Sequence, residues 1–235
     1  LGFRQFSSHF TGIREALEDG DEHKARELLA HWQQVQVGQI PRSEIVRHVI
    51  EFSVIAAHRH VFGVVVWFVV FAGLGLGPVG AVFYRLSEFL SRSWQSPTTS
   101  GLSETEHQSP ALETSATKAW RSADWLPARL TALSFAVVGN FEDAVEAWRH
   151  DAEHFPDPND GVVLAATSGA INVRLGGKNL GLPDDESLLT PQAVETTAGR
   201  EPELFHLRSM VGLVWRAVVM WMLLLALLTL ARLLG

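Results

Sequence analysis

Apolar residues recur along the chain at two different rhythms. From Thr11 to Trp32 they fall at spacings of three and four, as Ile13, Ala16, Leu17, Ala25, Leu28, Leu29 and Trp32, which predicts an amphipathic helical pair. Glu18, Asp19, Gly20 and Asp21 lie between the halves and supply a turn and an acidic start for the second helix. A further helix is expected from about Pro41, because proline suits a first turn, and it runs towards a strongly apolar stretch. That stretch, Val61 to Phe83, is 23 residues long without a charge. This is enough to cross a bilayer core of about 30 Å, so a transmembrane segment is expected there. Its centre, "GLGLGPVG", would break a soluble helix and predicts a kink or re-entrant turn.

Polar sequence follows. Ser93 to Ala119 is rich in Ser, Thr, Pro, Glu and Gln without periodicity and is expected to be a flexible loop. After "SADWLP" only Leu130 to Gly139 is free of charge, about half a spanning length, which predicts a short span, an interfacial helix or half of a broken one. "NFEDAVEAWRHDAEHF" reads as an acidic amphipathic helix, with a turn expected at its prolines and at Asn159-Asp160-Gly161. "VVLAATSGAINVRLGG" is a second half-length apolar segment whose small residues permit close helix packing. A polar loop is expected over about 178–202, and "LVWRAVVMWMLLLALLTLARLLG" closes the chain as a second transmembrane segment. Its Arg216 and Arg232 can snorkel, and Trp215 and Trp221 suit the interface.

The fold class this predicts is all-α: a polytopic integral membrane protein with a soluble amphipathic helical hairpin and polar loops. Residues 1–60 would form the hairpin and lead-in helix, and 61–235 the membrane domain. The chain starts at Leu1 and shows no signal-peptide pattern, which leads to the expectation of further spans ahead of it. Basic residues flank most spans on both sides, so they do not orient the chain.

Composition agrees with a membrane protein: 47% of residues are hydrophobic and only 19% charged, and the mean hydropathy is +0.11. The absence of cysteine excludes disulfides, thiolate metal sites and a cysteine nucleophile. A formal charge of −7 without a basic, aromatic-interleaved stretch argues against a nucleic-acid partner. The expected partners are the lipid bilayer and other membrane proteins.

Few residues carry readable chemistry. Arg129, close behind Pro127, pairs with an anionic ligand or with Asp124, or snorkels to headgroups. Arg174 beside Gly176 and Gly177 either holds a phosphate or carboxylate or forms an ordinary helix end with glycine caps. His58 and His60 flank Arg59 at a spacing that chelates poorly on a helix, so an interfacial triplet is expected and no metal site. No catalytic nucleophile or phosphate-cradling loop is recognisable.

Four stretches, "GPVGAVFYR" (77–85), "DWLPARLTAL" (124–133), "PNDG" (158–161) and "GAINVRLGG" (169–177), resemble the CobD/CbiB family of membrane proteins in order and separation. The resemblance covers roughly Glu51 to the C-terminus. It implies a bacterial inner-membrane, multi-pass protein of cobalamin biosynthesis, of the adenosylcobinamide-phosphate synthase kind, which attaches an aminopropanol-derived arm to a corrinoid. It also implies ligand-binding roles for Glu51, Tyr84, Arg85, Asp124, Pro127, Arg129, Asn159, Arg174, Gly176 and Gly177, and a use of Mg and ATP if that activity is retained.

The chain departs from the family pattern at several acidic positions. Where an E-S-x-x-E-N-x-x-D-G run is usual, this chain has "IEFSVIAAHRHVFGVVVWF", keeping only Glu51. Tyr84-Arg85 is followed by "LSEFLS" in place of N-T-x-D, Trp120 and Arg121 stand where a pair of aspartates is usual ahead of P-A-R so that only Asp124 is kept, and the glutamate expected near Leu164 is absent. Magnesium takes carboxylate ligands in such sites, so the residues leave three readings open: a synthase, a non-catalytic protein similar to the AmpE branch, linked to β-lactamase regulation, and an inert membrane scaffold. "ARELLAHW" and "VVGNFEDAVEAWR" resemble that branch.

Overall fold

The computed structural model of the chain describes residues 3–33, 38–95, 110–177 and 196–234. Helices α1 (Phe3–Glu18) and α2 (Glu22–Gln33) form the expected hairpin. Gly20 takes the left-handed conformation that the turn requires (φ 78°), and the Asp21 carboxylate accepts from the Lys24 N–H at 3.0 Å to cap α2. Ile13, Ala16, Leu17, Ala25, Leu29 and Trp32 are buried as the spacing predicts, and Trp32 meets Phe52 edge-on at 4.7 Å.

Helix α3 (Arg42–Ala57) runs through a π-helical turn (His58–Phe62) into α4 (Gly63–Gly73), a continuous helical stretch of 32 residues. The expectation of one span over Val61–Phe83 is corrected by this course. The chain turns at Leu74–Pro78, with Gly75 and Gly77 at positive φ, and α5 (Val79–Gln95) returns against α4. Gly80 sits so close to α4 that an added Cβ would lie 2.2 Å from the Trp67 carbonyl oxygen. Hydropathy registers the composition of such a segment but not its reversal. The turn falls on "GLGLGPVG", where the sequence predicts a kink or re-entrant turn.

Helix α5 reaches Gln95 and α6 (Pro110–Val138) begins at Pro110. The loop expected over 93–119 is therefore helical at both ends, and 96–109 lie outside the described residues. Pro127 lies inside α6, a helix of 29 residues, and does not start it, which corrects the sequence reading; Leu130–Val138 is that helix's last part.

Asn140 caps α7 (Phe141–Asp151), its side chain accepting from the Asp143 N–H at 3.4 Å. A 3₁₀ turn (Ala152–His154) leads to α8 (Pro158–Ile171). Asn159-Asp160-Gly161 is not a turn: Asp157 caps the helix through the N–H groups of Asn159 (2.9 Å) and Asp160 (3.2 Å), and Pro158 occupies the first position. Apart from Pro158, Asp160 and Ile171, α8 is buried. Its small residues allow α7 to approach so closely that a Cβ on Gly169 would lie 2.2 Å from the Asp143 carbonyl oxygen. Asn172, at φ 51°, ends the helix.

Beyond it, isolated bridges pair Val173 with Arg200 and Gly176 with Thr196, so part of the loop expected over 178–202 is ordered; 178–195 lie outside the described residues. The last helix, α9 (Leu204–Leu234), is 31 residues long. Both it and Arg42–Gly73 are long and apolar enough to cross a membrane. Among the described residues the structure is all-helical apart from these bridges.

By internal contact the chain divides into two compact units, residues 1–55 with 132–235, and residues 56–131.

Candidate functional site

In the unit 56–131, three segments far apart in sequence bring polar side chains together in a buried interior. His58 from the π-helical turn, Tyr84 from α5, and Asp124 and Thr131 from α6 are each at most 1% exposed. Asp124 Oδ1 accepts from the Tyr84 hydroxyl at 2.7 Å and pairs with His58 Nε2 at 3.0 Å, while His58 Nδ1 lies 2.9 Å from Thr131 Oγ1. With Asp124 ionised, Nε2 carries the proton, and the Thr131 hydroxyl donates to Nδ1 or accepts from it according to the charge on His58.

Burial pushes the Asp124 carboxyl up, but the hydrogen bond and charge of His58, the Tyr84 hydroxyl and the charge of Arg59 hold it below the usual carboxylate range. Burial, then the Asp124 charge, pushes the Tyr84 phenol up, so it remains a hydrogen-bond donor. Gly63 makes room for that ring: a Cβ there would lie 2.3 Å from the Tyr84 hydroxyl oxygen. π-helical turns concentrate at functional positions, and here the turn starts at His58. The cluster can orient and hold a carboxylate and move a proton between its oxygen and an imidazole.

The other candidates in this unit stand apart from Asp124 Oδ1. Arg85 is exposed and bonds to Glu88, and to His60 Nδ1 at 3.0 Å. Arg129 donates to the carbonyl of Trp125 at 3.0 Å and lies 4.3 Å from the centre of that ring. Asp124 acts on it through charge. Pro127 is buried in the helix interior and offers no donor. Its missing N–H would have served the Ala123 carbonyl, which accepts instead from the Trp67 indole at 2.9 Å.

The unit 1–55 with 132–235 holds the rest. Glu51 accepts from the Gly176 N–H at 2.7 Å and from Arg47 at 3.1 and 3.2 Å, and His48 Nδ1 is 3.6 Å away. Arg47, 2% exposed, also bonds Glu44. Gly176 and Gly177 both have positive φ, and a Cβ on Gly177 would lie 3.7 Å from the Arg47 guanidinium carbon. Glu51, Gly176 and Gly177 thus meet in one anchoring cluster. Arg174 is exposed, beyond the helix end that Asn172 makes, and its N–H donates to the Arg200 carbonyl at 2.7 Å. Neither sequence reading of Arg174 included this backbone tie. Asn159 is buried in the first turn of α8.

A magnesium–nucleotide complex needs free carboxylate oxygens converging on one point. Glu51 accepts from Arg47 and a backbone N–H, and Asp124 engages His58 and Tyr84 through Oδ1. Among the described residues no three His, Asp or Glu side chains are grouped to hold a metal. The described residues do not fit that group.

Sequence reasoning placed His58 at a wet interface; it is fully buried. Thr131 and Arg47 were not singled out either. The π-helical turn that aims His58 leaves no mark in residue spacing, whereas Thr131 was visible inside "PARLTAL" as a lone hydroxyl in an apolar run.

The CobD/Cbib protein family model matches residues 1–203. The chain is 29% identical over 228 residues to the cobalamin biosynthesis protein CobD of Stutzerimonas stutzeri, covering 96% of this chain and 68% of that one. It is 31% identical over 177 residues to the protein of the same name from Chromobacterium violaceum, covering 75% of this chain and 53% of that one. A 60-residue stretch is 47% identical to the one from Mycobacterium tuberculosis, or 23% of this chain and 19% of that one. No solved structure matches the chain. The chain belongs to the CobD/Cbib family.

Proposed function

We propose that the protein serves cobalamin biosynthesis as a multi-pass protein of the bacterial inner membrane, of the adenosylcobinamide-phosphate synthase kind, acting on a corrinoid substrate. The observation that carries this reading is the meeting of Asp124 and Tyr84. They come from two different family-like stretches and share one hydrogen bond in a buried cluster with His58. In this reading Asp124 is the acid–base or orienting group of the site, His58 and Tyr84 hold it, and Arg129, further along α6 beside the exposed Trp125, meets an anionic group of the substrate.

The test is cobalamin-dependent growth on cobyric acid of a bacterium lacking its own synthase, with the full-length protein expressed in its membrane. Growth is expected, with Asp124→Asn abolishing it and Arg129→Ala reducing it more than Arg149→Ala, which changes an exposed arginine on α7. Equal effects of the two arginine variants would remove Arg129 from the site.

A second reading, a non-catalytic AmpE-like membrane protein, is favoured by the engagement of Glu51 in an internal ion pair. In that case wild-type protein present in the membrane supports no growth.

A further inference from the structure

Proline in a helix interior removes one N–H and leaves the carbonyl four residues earlier without its donor. At Pro127 that carbonyl belongs to Ala123, the residue before Asp124, and the Trp67 indole N–H reaches it at 2.9 Å. Ala123 is buried, so a lost partner would be costly to leave unreplaced. Trp67 is itself held in place: its ring meets Phe71 and Phe83 edge-on, both at 5.6 Å, and α5 crosses its backbone at Gly80.

We propose that Trp67 is a positioning residue for Asp124. Its indole stands in for the main-chain donor that Pro127 deletes, and it thereby fixes the turn of α6 that carries the carboxylate. His58 holds the Asp124 side chain while Trp67 holds the adjoining backbone. Both lie on the 32-residue stretch Arg42–Gly73. An α6 with an ordinary residue at 127 would need no tryptophan. The proline exchanges a bond within the helix for one that joins α6 to α4.

The two residues can be tested as a pair, because alanine at 127 restores the N–H that makes Trp67 dispensable. Hydrogen–deuterium exchange over residues 120–131 is measured on the full-length protein in lipid nanodiscs. The variants are Trp67→Phe, Pro127→Ala, the double variant, His58→Ala, and His58→Ala with Pro127→Ala. Trp67→Phe keeps the ring packing, and loss of one buried hydrogen bond is expected to speed exchange about fivefold. The double variant is expected to return to within about twofold of Pro127→Ala alone. Pro127→Ala should not rescue His58→Ala, whose defect lies on the side chain of Asp124.

An equal effect of Trp67→Phe in both backgrounds, no effect of it in either, or rescue of His58→Ala as well would overturn the proposal. Growth on cobyric acid supplies an activity arm that rests on the proposed function. Its expected result is that Trp67→Phe impairs growth while the protein stays in the membrane at the wild-type level. Exchange coupling without growth of the wild type would uphold Trp67 and count against the synthase reading, so the two failures are separable.

Discussion

Asp124 shows how one carboxylate can be kept ionised in a buried position. Burial alone would favour its neutral form, and the Tyr84 hydroxyl and His58 imidazole reverse that preference by bonding to Oδ1. Tyr84→Phe removes a hydrogen bond to a charged group and is expected to destabilise the protein by about 2 kcal/mol. A thermal melt in detergent reads that loss, and an unchanged midpoint would mean that the Tyr84 hydroxyl contributes nothing to stability.

The pH dependence has a definite sign. A carboxyl whose folded pKa lies below its unfolded value of about 3.9 stabilises the fold in full above about pH 5. That contribution is lost as pH falls through the depressed folded value. Asp124→Asn should therefore flatten the acid limb of the melting profile as pH falls below about 5. An acid limb identical in the variant would contradict the role assigned to the ionised group.

Among the elements, close approaches decide what can be substituted. Gly63→Ala would place a methyl against the buried Tyr84 ring, and Gly80→Ala would place one against the Trp67 carbonyl. Each should cost about 1–3 kcal/mol as overpacking. Gly212→Ala in α9 meets nothing within 4 Å and should be neutral or stabilise by up to about 1 kcal/mol, since alanine favours helix. Ranking the three by melting midpoint checks the packing of α4 on α5.

The elements also show what the sequence can and cannot express. The α1–α2 hairpin was legible because Ile13, Leu17, Leu29 and Trp32 keep a helical period on one buried face. The reversal inside 61–83 was legible only as a possible re-entrant turn, because an apolar segment reads alike whether it crosses a bilayer or folds back. Pro127 and Asn159-Asp160-Gly161 misled for a common reason. Proline and Asn-Asp-Gly are local signals, and here a tryptophan from α4 and a capping Asp157 make helix compatible with them. For the site, the resemblance supplied Tyr84 and Asp124. His58 was missed because its burial depends on a π-helical turn and on α6, 66 residues away at Asp124.

At the scale of the molecule, α9 and the Arg42–Gly73 stretch have the length and composition of membrane spans. The last part of α9 is apolar on every side: Met222, Leu223, Leu224, Leu227, Leu228 and Leu230 are all exposed. Such a helix is stable where its surroundings are apolar too. The Trp221 indole is anchored to Ser134 at 2.9 Å nearer its start. Arginine at Leu227 is expected to oppose insertion by about 2.5–3.5 kcal/mol if that position lies near the bilayer centre. Fused alone to a translocation reporter, residues 204–234 should then insert as the wild-type sequence and insert less well with Leu227→Arg, and equal insertion of the two would place Leu227 away from the bilayer centre.

The measurement that bears most directly on function is growth on cobyric acid of a synthase-deficient bacterium carrying the full-length protein, compared with its Asp124→Asn variant. Growth with the wild type and none with the variant, both present in the membrane at equal levels, is the predicted result. No growth with the wild type, or equal growth with both, would contradict the claim that Asp124 lies at the centre of a working synthase site.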